Sequence, residues 1–163
     1  MTRDVIRVPD ARLKRVAPPG GDPARVAAVA RDLLDTMRSF GRCVGIAAPQ
    51  VGEDLRLCIV DCSQHPKAVD ANHGLLVLVE PVVVEASEET EVGREGCLSL
   101  PDLTADVRRT RDVVVQATTP EGHPLRVAAT GFEARALLHE IDHLDGILIL
   151  DRAIRVFPRK SYA

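Results

Sequence analysis

The pentapeptide His139-Glu140-Ile141-Asp142-His143 constrains this chain more than any other stretch. On an α-helix, residues four apart stand one turn apart on the same side, so both imidazoles can reach one point. In a strand the same spacing would hold them about 13 Å apart. The flanking residues support the helix. Thr130 with Glu133 three positions on reads as a capping box, and Gly146 is a natural C-terminal stop. Phe132, Ala136, Leu137, Ile141 and Leu144 supply its apolar contacts.

The chemistry follows from this geometry. Two imidazoles one turn apart suit two ligands of a single tetrahedral ion. Glu140, about 100° round the helix, can reach a water on that ion without entering the coordination sphere. A third ligand is needed, and the segment after His143 contains neither Glu nor His. Asp145 and Asp151 are better explained as helix-end and turn residues. Upstream, Glu95-Gly96-Cys97-Leu98-Ser99 sets a cysteine just before Pro101, at a strand end or turn. A thiolate there completes a Cys97-His139-His143 set and leaves a fourth position for water. These residues together describe a metallohydrolase with Glu140 as its general base.

The rest of the chain reads as support for that helix. Pro9 and the Pro18-Pro19-Gly20-Gly21 run make the first 22 residues extended or looped. Asp22-Pro23 is an N-cap followed by a first-turn proline, and Val26, Ala30, Leu33, Leu34 and Met37 share one face, which predicts an amphipathic helix over 23–39. Leu57 to Asp61, Leu75 to Glu85 and Val113 to Thr118 read as strands, and Thr119-Pro120-Glu121-Gly122 turns into a returning strand over 124–129. Between the first helix and the strands, Val44-Gly45-Ile46-Ala47-Ala48-Pro49-Gln50 is a small-residue loop in which Pro49 steadies the chain before the Gln50 amide.

Composition narrows the class. Aromatics make up 2% of the chain and Trp is missing, so a stacking platform for bases is not expected. A net charge of -3 argues against a large phosphate-binding footprint, and no direct sequence-specific nucleic-acid binding is expected. No apolar run approaches the roughly 18 residues of a membrane span, and no signal peptide is visible. Cysteines 43, 58, 62 and 97 do not form a disulfide-scaffold pattern, which favours a reducing, cytoplasmic setting. Residues 1–163 are expected to form one domain and to act as a monomer. His65, His73 and His123 lie in polar stretches and are expected to be solvated.

Taken in order, the loop ending at Gln50, the Glu95–Ser99 block and the His139–His143 block resemble the peptide deformylase family. The family pattern is G-x-G-x-A-A-P-Q, E-G-C-L-S and H-E-x-D-H, and this chain matches the last two in full. The resemblance implies an α+β fold, with small mixed or antiparallel sheets around the helix bearing the two histidines. It implies removal of the formyl group from N-formylmethionyl peptides by one divalent ion, Fe2+ foremost, with Zn2+, Ni2+ or Co2+ as substitutes. Glu140 would move the proton. The Leu98 N–H and the Gln50 side chain would stabilise the oxyanion, and the Gly45 backbone would bind the formylated end. Glu95 and Asp142 would orient the ligands from outside. Val44, Gly96, Phe132 and Ala136 are candidates, with Gly45, for lining the substrate pocket.

The chain departs from the family at several points. Cys43 stands where the first glycine is usual, Leu138 where a Gln often precedes the first metal histidine, and Thr104 near a frequent peptide-binding arginine. The tail after Asp151 carries Arg152, Arg155, Arg159 and Lys160 but lacks the longer basic helix that some relatives use to contact the ribosome, so at most a weak ribosome association is expected. Two alternatives stay open. One is a metallopeptidase, or a relative acting on another formamide or amide. The other is a catalytically silent module with a structural metal closed by Cys43 or by the Cys58 and Cys62 pair.

Overall fold

The computed structural model describes residues 1–159. Lys160, counted above with the basic tail, lies outside the described residues.

The first helix, α1 (Pro23–Ser39), forms as its caps predict: the Asp22 side chain accepts from Arg25 N at 3.0 Å, and Pro23 occupies the first turn. Val26, Ala30, Leu33 and Met37 are buried, while Leu34 is half-buried at the edge of the face. The chain then runs through β1 (Gly45–Ala47), a 3-10 turn (Ala48–Val51), β2 (Leu57–Asp61) and β3 (Leu75–Ala86). After β4 (Thr90–Cys97) and β5 (Leu100–Thr110) come β6 (Asp112–Thr118) and β7 (Pro124–Thr130). The last elements are α2 (Gly131–Leu144), the single turn α3 (Ile149–Arg152) and β8 (Ala153–Pro158).

These strands build two antiparallel sheets, one of five strands in the order β1-β2-β3-β6-β7 and one of three in the order β4-β5-β8. β2 shows why the larger sheet sits between the helices. Leu57 and Ile59 join the apolar cluster of α1, whereas Cys58 and Val60 join the cluster holding Leu137, Ile141 and Leu144 of α2. A strand covered on both faces reads as a continuous apolar run, as Leu57–Val60 does. The buried aliphatic side chains here contribute roughly 1.5–3 kcal/mol each.

α2 is enclosed almost all round. Its apolar side rests on the larger sheet, and its polar side, carrying Arg135, Glu140, Asp142 and His143, is also buried. Burial of polar groups requires partners, and the smaller sheet supplies them for Arg135 and Asp142. The resemblance implied small sheets around this helix, but the strands of this one were not read from the sequence. β4 and β5 are rich in Arg, Asp, Glu and Gly, because their side chains serve the polar side of α2, so the alternating apolar signal of a strand is weak there. β8 went unread for the same reason and because the chain reverses sharply after α3.

Three local expectations are corrected. The capping box of α2 does not form: Thr130 donates to Asp112 Oδ1 at 2.5 Å, and Glu133 instead accepts from the backbone N–H of His73 at 2.7 Å. His73 is therefore tied to α2 rather than solvated, its Nδ1 lying 2.5 Å from Glu133 Oε1. His65 is stacked on Phe132, with ring centroids 3.9 Å apart and planes 9° from parallel. His123 is exposed, as expected. The N-terminal segment also holds a short 3-10 turn at Ala11–Lys14.

Candidate metal centre

α2 delivers His139 and His143 side by side, with ring centroids 5.1 Å apart at an angle of 66°. β4 ends at Cys97, where a register irregularity between Glu95 and Cys97 turns the strand toward α2. Cys97 Sγ lies 3.4 Å from His143 Nε2, and one donor atom from each of Cys97, His139 and His143 lies within 4.8 Å of the others. Three donors at that separation suit one ion.

His139 is held from behind. His139 Nδ1 lies 2.8 Å from Glu95 Oε1, which turns the opposite nitrogen, Nε2, inward. Glu95 also accepts from Arg109 Nε (2.8 Å), Arg109 Nη2 (2.9 Å) and Arg135 Nη1 (2.8 Å). Burial opposes ionisation of Glu95, yet the hydrogen bonds from His139 and Arg109 hold its carboxyl well below the usual carboxylate range. The remaining Arg109 nitrogen donates to Asp142 Oδ2 at 2.8 Å, and Arg152 holds Asp142 from the other side at 2.7 and 3.0 Å. Glu95 and Asp142 thus share one buried arginine. Arg135 completes its own set on the carbonyls of Val107 and Glu91.

The donor set is chemically suited to a cation. Burial alone would push the Cys97 thiol up, but His143 and His139 hold it well below its ordinary value, which favours the thiolate form. Against its burial, Cys97 and Glu95 raise His139, so an arriving cation would displace a proton there. Glu140 is buried beside the cluster, its Oε1 lying 4.0 Å from His139 Nε2. Burial raises its carboxyl above the ordinary value, and its Oε2 has no hydrogen-bond partner among protein atoms. A buried acceptor left unpaired beside three ligands fits a water on the ion. His143 Nδ1 is also without a protein partner.

The first block arrives from β1. Gly45 packs directly against Glu140. Gln50 is 1% exposed, its carbonyl oxygen accepting from Ala47 N at 2.9 Å. That bond orients the Gln50 amide nitrogen toward Ser99 Oγ at 3.1 Å and Cys97 Sγ at 3.7 Å. Val44, Gly45, Gln50, Gly96, Leu98, Phe132 and Ala136 all line one cleft of about 920 Å³ that opens over Cys97, His139 and Glu140. Asp142 lies outside it, behind the ligands. Every residue predicted from the sequence is therefore at the site or directly behind it.

Sequence reading missed Ser99, Arg109, Arg135 and Arg152. Arg135 had a signal, since it precedes His139 by four residues and so shares its helix side. Ser99 stands within the cysteine block but gave no chemical cue by itself. Arg109 and Arg152 lie on β5 and α3, and their roles depend on tertiary contacts. Asp145 and Asp151 are structural, as expected: Asp145 follows α2 and pairs with Arg56 at 2.8 Å, while Asp151 pairs with Lys14. A closed structural metal site finds no fourth protein donor among the described residues. The Cys43 thiol instead lies on Gly45 O at 2.9 Å, and Cys58 and Cys62 are in the core.

A Cys-His-His donor set with an unpaired buried glutamate, at the base of an open cleft in an α+β fold, defines a candidate mononuclear metallohydrolase centre. The polypeptide deformylase profile matches residues 2–158, and the chain belongs to that family. It is 42% identical over 148 residues to peptide deformylase 2 of Vibrio cholerae, covering 91% of this chain and 84% of the relative. It is 41% identical over 155 residues to the peptide deformylase of Dictyoglomus thermophilum, covering 94% of each. Among solved structures, a class I type b peptide deformylase of Acinetobacter baumannii bound to Met-Ala-Ser matches with a TM-score of 0.86 and 35% identity, over 93% of this chain and 98% of that one.

Proposed function

We propose that this protein removes the N-formyl group from the terminal formylmethionine of nascent polypeptides, in a metal-dependent hydrolysis that releases formate. The observation that carries the reading is the convergence of Cys97, His139 and His143 on one point, with the unpaired Glu140 oxygen beside it. Membership of the deformylase family supports it, as does the tripeptide held by the structurally similar Acinetobacter enzyme.

A divalent ion held by Cys97, His139 and His143 would lower the pKa of a coordinated water and polarise the formyl oxygen. Glu140 would take a proton from the attacking water and pass it to the departing nitrogen, a task suited to a carboxyl raised above its ordinary value. The Leu98 N–H and the Gln50 amide stabilise the negative charge that gathers on the former carbonyl oxygen. Gln50 is well suited, because its bond to Ala47 fixes which end of the amide faces Cys97. The Gly45 backbone receives the formylated end, and Val44, Phe132, Ala136 and Gly96 bound the methionine pocket. A formyl carbon bears only hydrogen, so a tight floor admits it and turns away an acetyl or internal peptide carbonyl. Glu95 and Asp142 keep His139 and Arg109 in register from behind.

One thiolate and two imidazoles suit Fe2+ and Zn2+ alike; the family resemblance favours Fe2+ as the cellular ion, with Zn2+, Ni2+ or Co2+ as substitutes. The working setting is the cytoplasm, with a single-domain monomer that touches the ribosome weakly. No helix among the described residues is long and apolar enough to cross a membrane. The test is formate release from formyl-Met-Ala-Ser by anaerobically prepared protein and its Glu140→Gln variant. Turnover by the wild type, and a variant that binds metal but does not turn over, is expected. Wild-type rates in the variant would sink the assignment of Glu140.

A further inference from the structure

We propose that the first turn of α2 and the loop between β2 and β3 together wall the methionine pocket, with His65 as the positioning residue that holds Phe132 against the substrate side chain. The proposal deepens the deformylase reading above and rests on it.

The loop over 62–74 is held in place by the protein itself. Cys62 and Ala68 anchor it from within, buried in the cluster that contains Leu137, Ile141 and Leu144 of α2. Backbone bonds from His65 N to Cys62 O at 3.0 Å and from Ala68 N to His65 O at 2.9 Å fold it into successive turns. It then meets two consecutive residues of α2, each through a histidine. The His73 backbone N–H donates to the buried Glu133 carboxylate at 2.7 Å, with His73 Nδ1 2.5 Å from the other oxygen, and His65 lies flat on Phe132.

His65 is fixed in its own plane. Its Nδ1 accepts from Lys67 N at 3.1 Å, and desolvation, with Lys67 nearby, lowers its pKa, which favours the neutral ring that this bond needs. Phe132 depends on that ring for support. Helical side chains lean back toward the N-terminus, and α2 begins at Gly131, so Phe132 has no earlier turn of its own helix to rest on. His65 takes the place of that missing turn. Both rings line the cleft over Cys97, His139 and Glu140, beside Val44 and Ala136. An aromatic wall kept in one rotamer is ready to meet a thioether, whereas a loose one must be ordered by the substrate at a cost in affinity. A methionine side chain is long enough to reach that wall, and the methyl group of alanine is not.

The experiment compares H65N, which keeps an acceptor for Lys67 N but no stacking ring, with H65F, which keeps a ring but no acceptor. On metal-loaded protein, kcat and KM are measured for formyl-Met-Ala-Ser and formyl-Ala-Ala-Ser, and calorimetry gives the Kd of Met-Ala-Ser. H65N should lower the methionine-over-alanine ratio in kcat/KM by about two- to tenfold, the worth of one aromatic pair, through KM for the methionine peptide. The Kd of Met-Ala-Ser should rise in step, and H65F should restore most of both. A ratio that H65N leaves unchanged, or that H65F lowers as much, overturns the proposal, as does an equal loss on both peptides. Formate from neither peptide with the wild type overturns the deformylase reading itself.

Discussion

A β-carbon on residue 45 would lie 2.6 Å from Glu140 Oε1, 2.9 Å from its Cγ and 3.0 Å from its Cδ, so Gly45 and Glu140 fit together only because residue 45 has no side chain. The whole carboxylate arm, and not only its tip, occupies that space. Gly45→Ala is therefore expected to fold and to bind metal, because Gly45 is not in a left-handed conformation. It should lose turnover on the order of 100-fold, the effect of moving a proton-transfer group by about 1 Å. Formate release measured alongside metal content checks this; unchanged kcat with full metal would refute it.

Glu95 is the hinge between His139, a candidate metal ligand, and the buried arginines. Replacing it with Ala frees His139 to rotate and leaves Arg109 and Arg135 buried without their shared carboxylate. Loss of a group that orients a ligand typically lowers metal affinity 10- to 100-fold. Removing one partner of a buried pair costs about 3–5 kcal/mol. Chelator competition and thermal unfolding should both register Glu95→Ala, whereas a substitution at exposed Glu88 should register in neither.

Cys62 gives a pH signature outside the cleft. Burial, with Glu133 and Asp61 nearby, pushes its thiol from an ordinary 9.0 to about 12. The folded protein holds this proton more tightly than the unfolded chain, so the associated stability is whole below pH 9 and is lost as the pH climbs through about 12. Iodoacetamide at pH 8 should leave Cys62 unmodified until the protein unfolds. Mass spectrometry of native and denatured samples decides the point, and rapid native labelling would contradict it.

Metal removal should destabilise the fold, because binding to the native state alone stabilises by about 4 kcal/mol at a thousandfold excess over Kd. The melting temperature should fall on chelation and recover on adding Zn2+ or Ni2+. Apparent affinity should weaken as the pH falls and the ligands take up protons. A melting temperature indifferent to metal would place the ion elsewhere.

How much could be read in advance depended on how local each feature was. His139, Glu140 and His143 needed nothing beyond helical periodicity, and α1 announced itself through Asp22, Pro23 and its apolar face. The same reasoning failed at Thr130 and Glu133, whose pattern fits a capping box but whose side chains found Asp112 and His73 from other elements. β4, β5 and β8 were illegible because their polar residues answer to α2 across space and not to their own strand neighbours.

By itself, then, the sequence pointed to the candidate ligands, the proposed base and the small-residue loop beside them, since each is encoded in spacing along a few residues. Only the tertiary structure decided what surrounds them. One arginine bridges Glu95 and Asp142, a backbone N–H at Ala47 orients Gln50, and the cleft over Cys97 is rimmed by cations from segments as distant as Arg7 and Arg159. The physical reason is that a buried charge must find its partners wherever packing brings them, and sequence separation carries no record of that distance.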